Sequence, residues 1–326
     1  MEPILSEDNT RFCLFPIQHN DLYKHYKKME EVMWAAQKID FSRDLIDFKT
    51  ELNENQQHVV KSFIALITSF DGILNEGLGD CFLSEVSYLE AKMLYGLQFH
   101  IENVHNETYS LMAEVIIEDP KERNIYLNAI TNFKSIAALK EWYFRQMSSQ
   151  SFASKLVALA FFEGVILMSL FPIPYQIKKI VSNNKLPGFI RGNEYVFRDE
   201  TYHKQSGILI YNNYIVNKLD NETIVGMANE VSLLIDGLLN ELFNVSLIGL
   251  NPSLLKEHSM YLISDLISKL GVNNPNYSVK SSPLTFMNSV ELDDNPSFFE
   301  VEVTNYVDGD INNKAKAVSY SDLDEF

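Results

Sequence analysis

Glu102 and His105 stand three residues apart in the stretch 98–112, QFHIENVHNETYSLM. A helix here would put both on one face, with Tyr109 one turn further along, so that a carboxylate, an imidazole and a phenol converge. Phe99, Ile101, Val104, Leu111 and Met112 surround them, which points to a mostly buried helix, and a buried carboxylate must be paired, protonated or bound to a metal. A single Glu-x-x-His also arises on solvated helix faces. The same spacing returns at Glu200 and His203, in RDETYH.

Two further acids lie where water is scarce. Asp71 directly follows the run Val59, Val60, Phe63, Ile64, Leu66, Ile67 and Phe70, on a helix expected over 56–78. It could cap a following helix or face solvent, and a buried, liganded Asp fits the flanks equally well. Glu163 sits at the centre of the almost wholly apolar stretch 155–171. An isolated carboxylate there would be protonated or neutralised, and a cation is the economical partner. Asp71, Glu102, His105, Glu163, Glu200 and His203 thus give the order acid, acid-x-x-His, acid, acid-x-x-His. That order matches di-iron and di-manganese carboxylate bundles, in which four carboxylates balance two divalent ions and two imidazoles leave positions open for dioxygen.

The elements that must hold these groups read as helices. Hydrophobic periodicity predicts them at 21–37, 56–78, 83–117, 124–146, 155–171, 194 onward, 221–243 and 253–270, with Pro172 and Pro174 ending or kinking the fifth. Leu22, Tyr26, Met29, Met33 and Trp34 form the stripe of the first, where Trp34 reads as a core aromatic. The segment 183–193, NNKLPGFIRGN, reads as a loop. Residues 1–12 read as loose, apart from what Arg11 and Phe12 anchor. No sustained strand alternation and no solenoid repeat occurs in the helical region, so the fold class is all-α. The organisation is an N-terminal arm at 1–20, a helical domain at 21–273 and, where Asn, Asp, Ser and Pro take over, a flexible tail at 274–326.

Composition narrows the function. With 46% hydrophobic residues over 326 positions the chain can bury a large core. A net charge of -17 with scattered Lys and Arg argues against a nucleic-acid surface, and it reads first as solubility. Cys13 and Cys81 are far apart and outside any Cys-x-x-Cys, so neither a disulfide framework nor a zinc ribbon is expected. The longest apolar run, 156–172, is interrupted by Glu163 and is expected in the core rather than in a membrane. With no charged-then-apolar leader, a cytoplasmic location is expected.

The chain resembles the small, radical-bearing subunit of class I ribonucleotide reductase over essentially its whole length. The resemblance is carried by FPIQHNDLYKHYKK and MWAAQKIDFSRD, by SFDGILNEGL around Asp71, HIENVHNETYSLM, DPKERN, FFEGVILMS around Glu163, RDETYH and EVEVTNY. The early segments and DPKER are similar to eukaryotic and large-DNA-virus members. The resemblance implies a ferritin-like helical bundle whose six acids and imidazoles hold two iron ions per chain as an oxo-bridged pair, with manganese as the alternative. It implies that Tyr109 carries a stable radical, that Trp34 and Asp199 link the site, with His105, to the subunit surface, and that Tyr306 passes the radical onward. It also implies a homodimer whose terminal segment, 320–326, docks on the large catalytic subunit.

A division of labour follows from composition as well. Reducing a ribose hydroxyl needs a thiyl radical and a reducing thiol pair, and this chain has two isolated Cys and no nucleotide-binding glycine motif. The substrate must be handled by another chain. Two departures from the family pattern stand out. Leu167 occupies a place in the radical pocket where many relatives have Phe, while Phe171 keeps an aromatic one turn on. The interval from Glu163 to Glu200 is slightly long, which places an insertion in 183–193. Two other readings remain: an oxidase or oxygenase of the same metal fold with its own substrate, and a metal-free helical scaffold that would bind no stoichiometric metal.

Overall fold

The computed structural model describes residues 2–287; Tyr306 and the docking segment 320–326 lie outside the described residues. The helices are α1 (Asn20–Glu31), α2 (Asp44–Glu51), α3 (Glu54–Leu78), α4 (Leu89–Ile116), α5 (Pro120–Leu127), α6 (Ala129–Asn132), α7 (Lys134–Met147), α8 (Phe152–Phe161), α9 (Pro172–Ile180), α10 (Pro187–Tyr214), α11 (Asn221–Leu242) and α12 (Pro252–Lys269). Two π-helical turns extend α3 and α8, at Gly79–Leu83 and Phe162–Leu167. No strand occurs among the described residues, only isolated bridges at Leu247/Leu250 and Asn274/Tyr277. The fold is the all-α bundle that the periodicity predicts.

The centre of the bundle is α3 along α4, with α10 against both α4 and α8. α3 and α8 are apolar on more than one side: Val60, Phe63, Ile64, Leu66, Leu74 of α3 and Leu156, Val157, Ala158, Phe161 of α8 are fully enclosed. The stretch Phe152–Ile180 is apolar enough to cross a membrane, yet its most apolar window is entirely buried inside the protein. It is a core helix, as its embedded Glu163 predicts.

Several boundaries differ from the periodicity. α1 stops at Glu31, and Trp34 lies on non-helical chain before a short 3-10 turn at Ala36–Lys38. The reason is tertiary: Arg198 donates to the Val32 carbonyl at 2.6 Å and the Trp34 indole N–H donates to Asp199 at 2.6 Å, which draws the chain out of the helix. The expected helix at 124–146 is broken into α5, α6 and α7. The N-terminal residues are anchored rather than loose: Ile4 is fully buried, and the Glu2 carboxylate accepts from the amides of Val216 and Asn217. Arg11 holds the carbonyls of Cys13, Leu14 and Pro16 and pairs with buried Glu90. At the other end packing continues beyond 273, since Tyr277 is buried and Ser282 bonds His258 at 2.8 Å. The compact unit that holds these contacts ends at Pro283.

The stretch 183–193 is largely helical, because α10 begins at Pro187. Pro suits the first helical position, and Leu186 turns the chain with φ 52°. The cap comes from α2: Asp44 accepts from the amides of Gly188 (3.0 Å) and Phe189 (2.5 Å), and Asp47 from Leu186 (3.1 Å) and Lys185. A side chain at 188 would collide with Phe41 and the Asp40 carbonyl, so glycine is needed there. Asp44 is fully buried. Asp44→Ala strands two enclosed amides and is expected to cost about 1–3 kcal/mol of unfolding free energy. Equilibrium denaturant unfolding measures this, and an unchanged midpoint would show that the cap does not matter.

Candidate metal centre

Asp71 comes from α3, Glu102 and His105 from α4, Glu163 from the π-helical turn after α8, and Glu200 and His203 from α10. All six side chains are 1% exposed or less, and they converge. Donor atoms of Asp71, Glu102 and His105 form one group within 4.8 Å of one another, and those of Glu102, Glu163, Glu200 and His203 form a second. Glu102 belongs to both, and Glu200 also reaches across, with its Oε1 3.2 Å from His105 Nδ1. Two adjoining groups with a shared carboxylate are the arrangement that a pair of cations requires.

The orientation of these atoms tests that fit. Both oxygens of Asp71 and of Glu102, Oε2 of Glu163, Oε1 of Glu200 and Nδ1 of His105 are buried without a hydrogen-bond partner. His105 Nδ1 lies 3.5 Å from Glu102 and His203 Nδ1 only 2.9 Å from Glu102, yet Glu102 accepts no aligned hydrogen bond. Unpartnered polar atoms gathered so closely in a dry interior are unfavourable unless protons or a cation fill the space between them. Carboxylate and imidazole donors suit iron and manganese alike.

Without metal the cluster is relieved by protons. Burial pushes the Asp71 and Glu163 carboxyls well above the usual carboxylate range, helped by Glu102 at Asp71 and by Glu200 at Glu163. Burial opposes ionisation of Glu102 too, but His105 and His203 beside it bring its carboxyl down to about 2. The imidazoles, which burial alone would discharge, are raised well above their usual value by Asp199, Glu102 and Glu200 at His105 and by Glu102 and Glu200 at His203. Groups with raised values hold protons that a divalent ion must displace. Metal uptake is therefore expected to release protons and to weaken as pH falls. Titrating metal into weakly buffered apoprotein with a pH indicator reads this directly, and uptake without acidification would contradict it.

The outer contacts orient the ligands. Gln98, one turn before Glu102, donates to Glu163 Oε1 at 2.6 Å and leaves the other oxygen facing the cluster. His105 Nε2 lies 3.2 Å from Asp199 Oδ2, the same oxygen that accepts from the Trp34 indole. Burial works against the charge on Asp199, but Arg198, bonded to its other oxygen, and the His105 and Trp34 contacts hold its carboxyl below the usual range. An unbroken bonded path thus runs from His105 through Asp199 to partly exposed Trp34. Tyr195 packs on Trp34 with ring centroids 5.2 Å apart, beneath the guanidinium groups of Arg191 and Arg198.

Tyr109 is completely buried. Burial, and then Asp71, Glu200 and Glu102, raise its phenol well above the usual value, so it stays protonated. Its hydroxyl donates to Asn193 Oδ1 at 2.8 Å. Phe63 makes the aromatic wall, edge-on to Tyr109 at 6.3 Å and to Phe171 at 5.9 Å. Leu167 is buried on the π-helical turn. The site residues named from the sequence within the described part therefore all gather here. The sequence pattern alone does not single out Gln98, Asn193, Phe63 or Tyr195. Gln98 sits at i-4 to Glu102 and carried a readable signal; Asn193 was concealed by the Gly and Pro around it.

Residues 11–283 match the family described as "Ribonucleotide reductase, small chain". The chain is 34% identical over 307 residues to ribonucleoside-diphosphate reductase small chain 1 of Saccharomyces cerevisiae, spanning 94% of this chain and 75% of that one. It is 31% identical to the small chain of Vaccinia virus (strain Ankara), over 94% of both. Among solved structures, the Rnr4 homodimer of S. cerevisiae superposes with a TM-score of 0.78 at 23% identity, covering 94% of this chain and 92% of that one. Dimanganese(II)-NrdF of Streptococcus sanguinis gives 0.71 at 18% identity, over 86% and 99%.

Proposed function

Because this chain belongs to the ribonucleotide reductase small-chain family, we propose that it generates and stores the oxidant with which a large catalytic subunit converts ribonucleoside diphosphates to deoxyribonucleotides. Asp71, Glu102, His105, Glu163, Glu200 and His203 would hold a pair of ions, iron first and manganese as the alternative. When bound, the pair supplies the reduction of dioxygen and a one-electron oxidant. The observation that carries the reading is the doubled group of inward-facing, unpartnered donors around Glu102, with a sealed phenol beside it.

This chain's own residues then divide the work. Tyr109, neutral and out of solvent contact, gives up an electron together with its proton and is shielded from reductants by Phe63 and its neighbours. Gln98 keeps one Glu163 oxygen engaged. His105, Asp199 and Trp34 connect the centre to the surface through hydrogen bonds that let electron and proton move together. From there Tyr306 carries the oxidant to the large subunit, on which the segment 320–326 docks. We place the protein in the cytoplasm as a homodimer, consistent with the homodimer described for its structural relative. Adding ferrous iron and air to apoprotein, with electron paramagnetic resonance and metal analysis read together, tests the proposal. A tyrosyl signal with about two ions per chain is the expected result, and stoichiometric metal without any radical would overturn it.

A further inference from the structure

The hydroxyl of Tyr109 is bonded to an amide oxygen, not to a carboxylate, and the amide is locked. Asn193 Nδ2 donates to the Phe189 carbonyl at 2.7 Å, one turn earlier on α10, so its Oδ1 must face the phenol at 2.8 Å. Turning the amide over would set Oδ1 against that carbonyl. Asn193 is itself 1% exposed and Tyr109 not exposed at all, so water does not compete for the bond. An amide oxygen accepts a hydrogen bond but is no base; it cannot take the proton when Tyr109 is oxidised.

We propose that Asn193 is a positioning residue that sets the oxidising power of the Tyr109 radical by bonding only the reduced form. This rests on the function proposed above. Oxidation removes one electron, which goes to the bound metal pair, and one proton, which the amide oxygen cannot keep and which passes to the adjoining carboxylate cluster, whose charges act on the phenol. What remains is a phenoxyl oxygen with no hydrogen, opposite an amide oxygen that has none to give. The bond that stabilises the phenol is lost, and two acceptors confront each other. The phenol is therefore favoured relative to the radical, and the radical is the stronger oxidant for it.

High-field electron paramagnetic resonance of the metal-loaded wild-type protein provides the first test. The expected spectrum is that of a phenoxyl without a hydrogen-bond donor. In Asn193→Leu, close in volume, the radical's g values are expected to stay the same, while its midpoint in a mediated redox titration falls and its reduction by hydroxylamine slows roughly two- to tenfold, the factor corresponding to one ordinary hydrogen bond. A hydrogen-bonded wild-type radical whose signature disappears in the variant would overturn the inference, because the amide would then be donating. So would an unchanged midpoint. Absence of any radical in the wild type would instead refute the underlying function. The wild-type spectrum needs no substitution, so the inference remains testable if the variant does not fold.

Discussion

Tyr109→Phe is expected to bind metal as the wild type does, to show no long-lived organic radical, and to support no nucleotide reduction above background. Phe keeps the ring against Phe63 and removes only the oxygen. The six donors of the cluster are untouched, so metal content should remain at about two ions per chain. The structural penalty is confined to Asn193 Oδ1, which loses its donor; a buried acceptor left unsatisfied costs about 1–3 kcal/mol, too little to unfold a core of this size. Metal analysis, resonance spectra and turnover with the large subunit should be measured on one preparation. Full turnover would remove Tyr109 from the mechanism.

Trp34→Phe is expected to separate making the proposed radical from using it. The indole N–H is bonded to Asp199 Oδ2 at 2.6 Å, and its ring stacks 6.0 Å from His105. Phe occupies most of the same space but neither donates to Asp199 nor yields an electron as readily. Asp199 remains held by Arg198 and His105, so the metal ligands should keep their places. The expected result is a normal Tyr109 signal that persists on mixing with the large subunit and substrate, with turnover reduced to background. Loss of the signal together with activity would mean that Trp34 supports assembly of the centre instead of transfer.

The six inward-facing donors were legible in the sequence because each lies inside a long helix whose apolar surroundings leave a charge unexplained. What was not legible depended on distant partners. Met33 falls in phase with Leu22 and Met29, so periodicity carries α1 up to Trp34; only Arg198 and Asp199, far along the chain, show why the helix ends first. The start of α10 reads as a loop because Leu186, Pro187 and Gly188 resemble turn chemistry when α2 is not in view. Asp44 and Asp47 supply the cap that local sequence lacks. With that start concealed, Asn193 could not be placed one turn from Phe189, and its bond to Tyr109 stayed out of sight. The wide turn at Phe162–Leu167 leaves no mark either, since every neighbour of Glu163 is apolar or glycine and carries no phase.

A wide turn makes this part of the chain sensitive to residue number as well as residue type. Phe162–Leu167 holds one residue more than an α-helical path would, and Gly164 lies so close to the aliphatic stem of Lys204 that any side chain there would strike it. Removing one residue between Gly164 and Leu167 would let the backbone close into regular α geometry along nearly the same path, so the turn that carries Glu163 would change while the downstream chain kept its place. Phe171 would then stay beside Phe63, while Glu163 would lose the wide turn that sets its direction. A single-codon deletion here should thus disturb the metal centre through Glu163 more than it disturbs the fold.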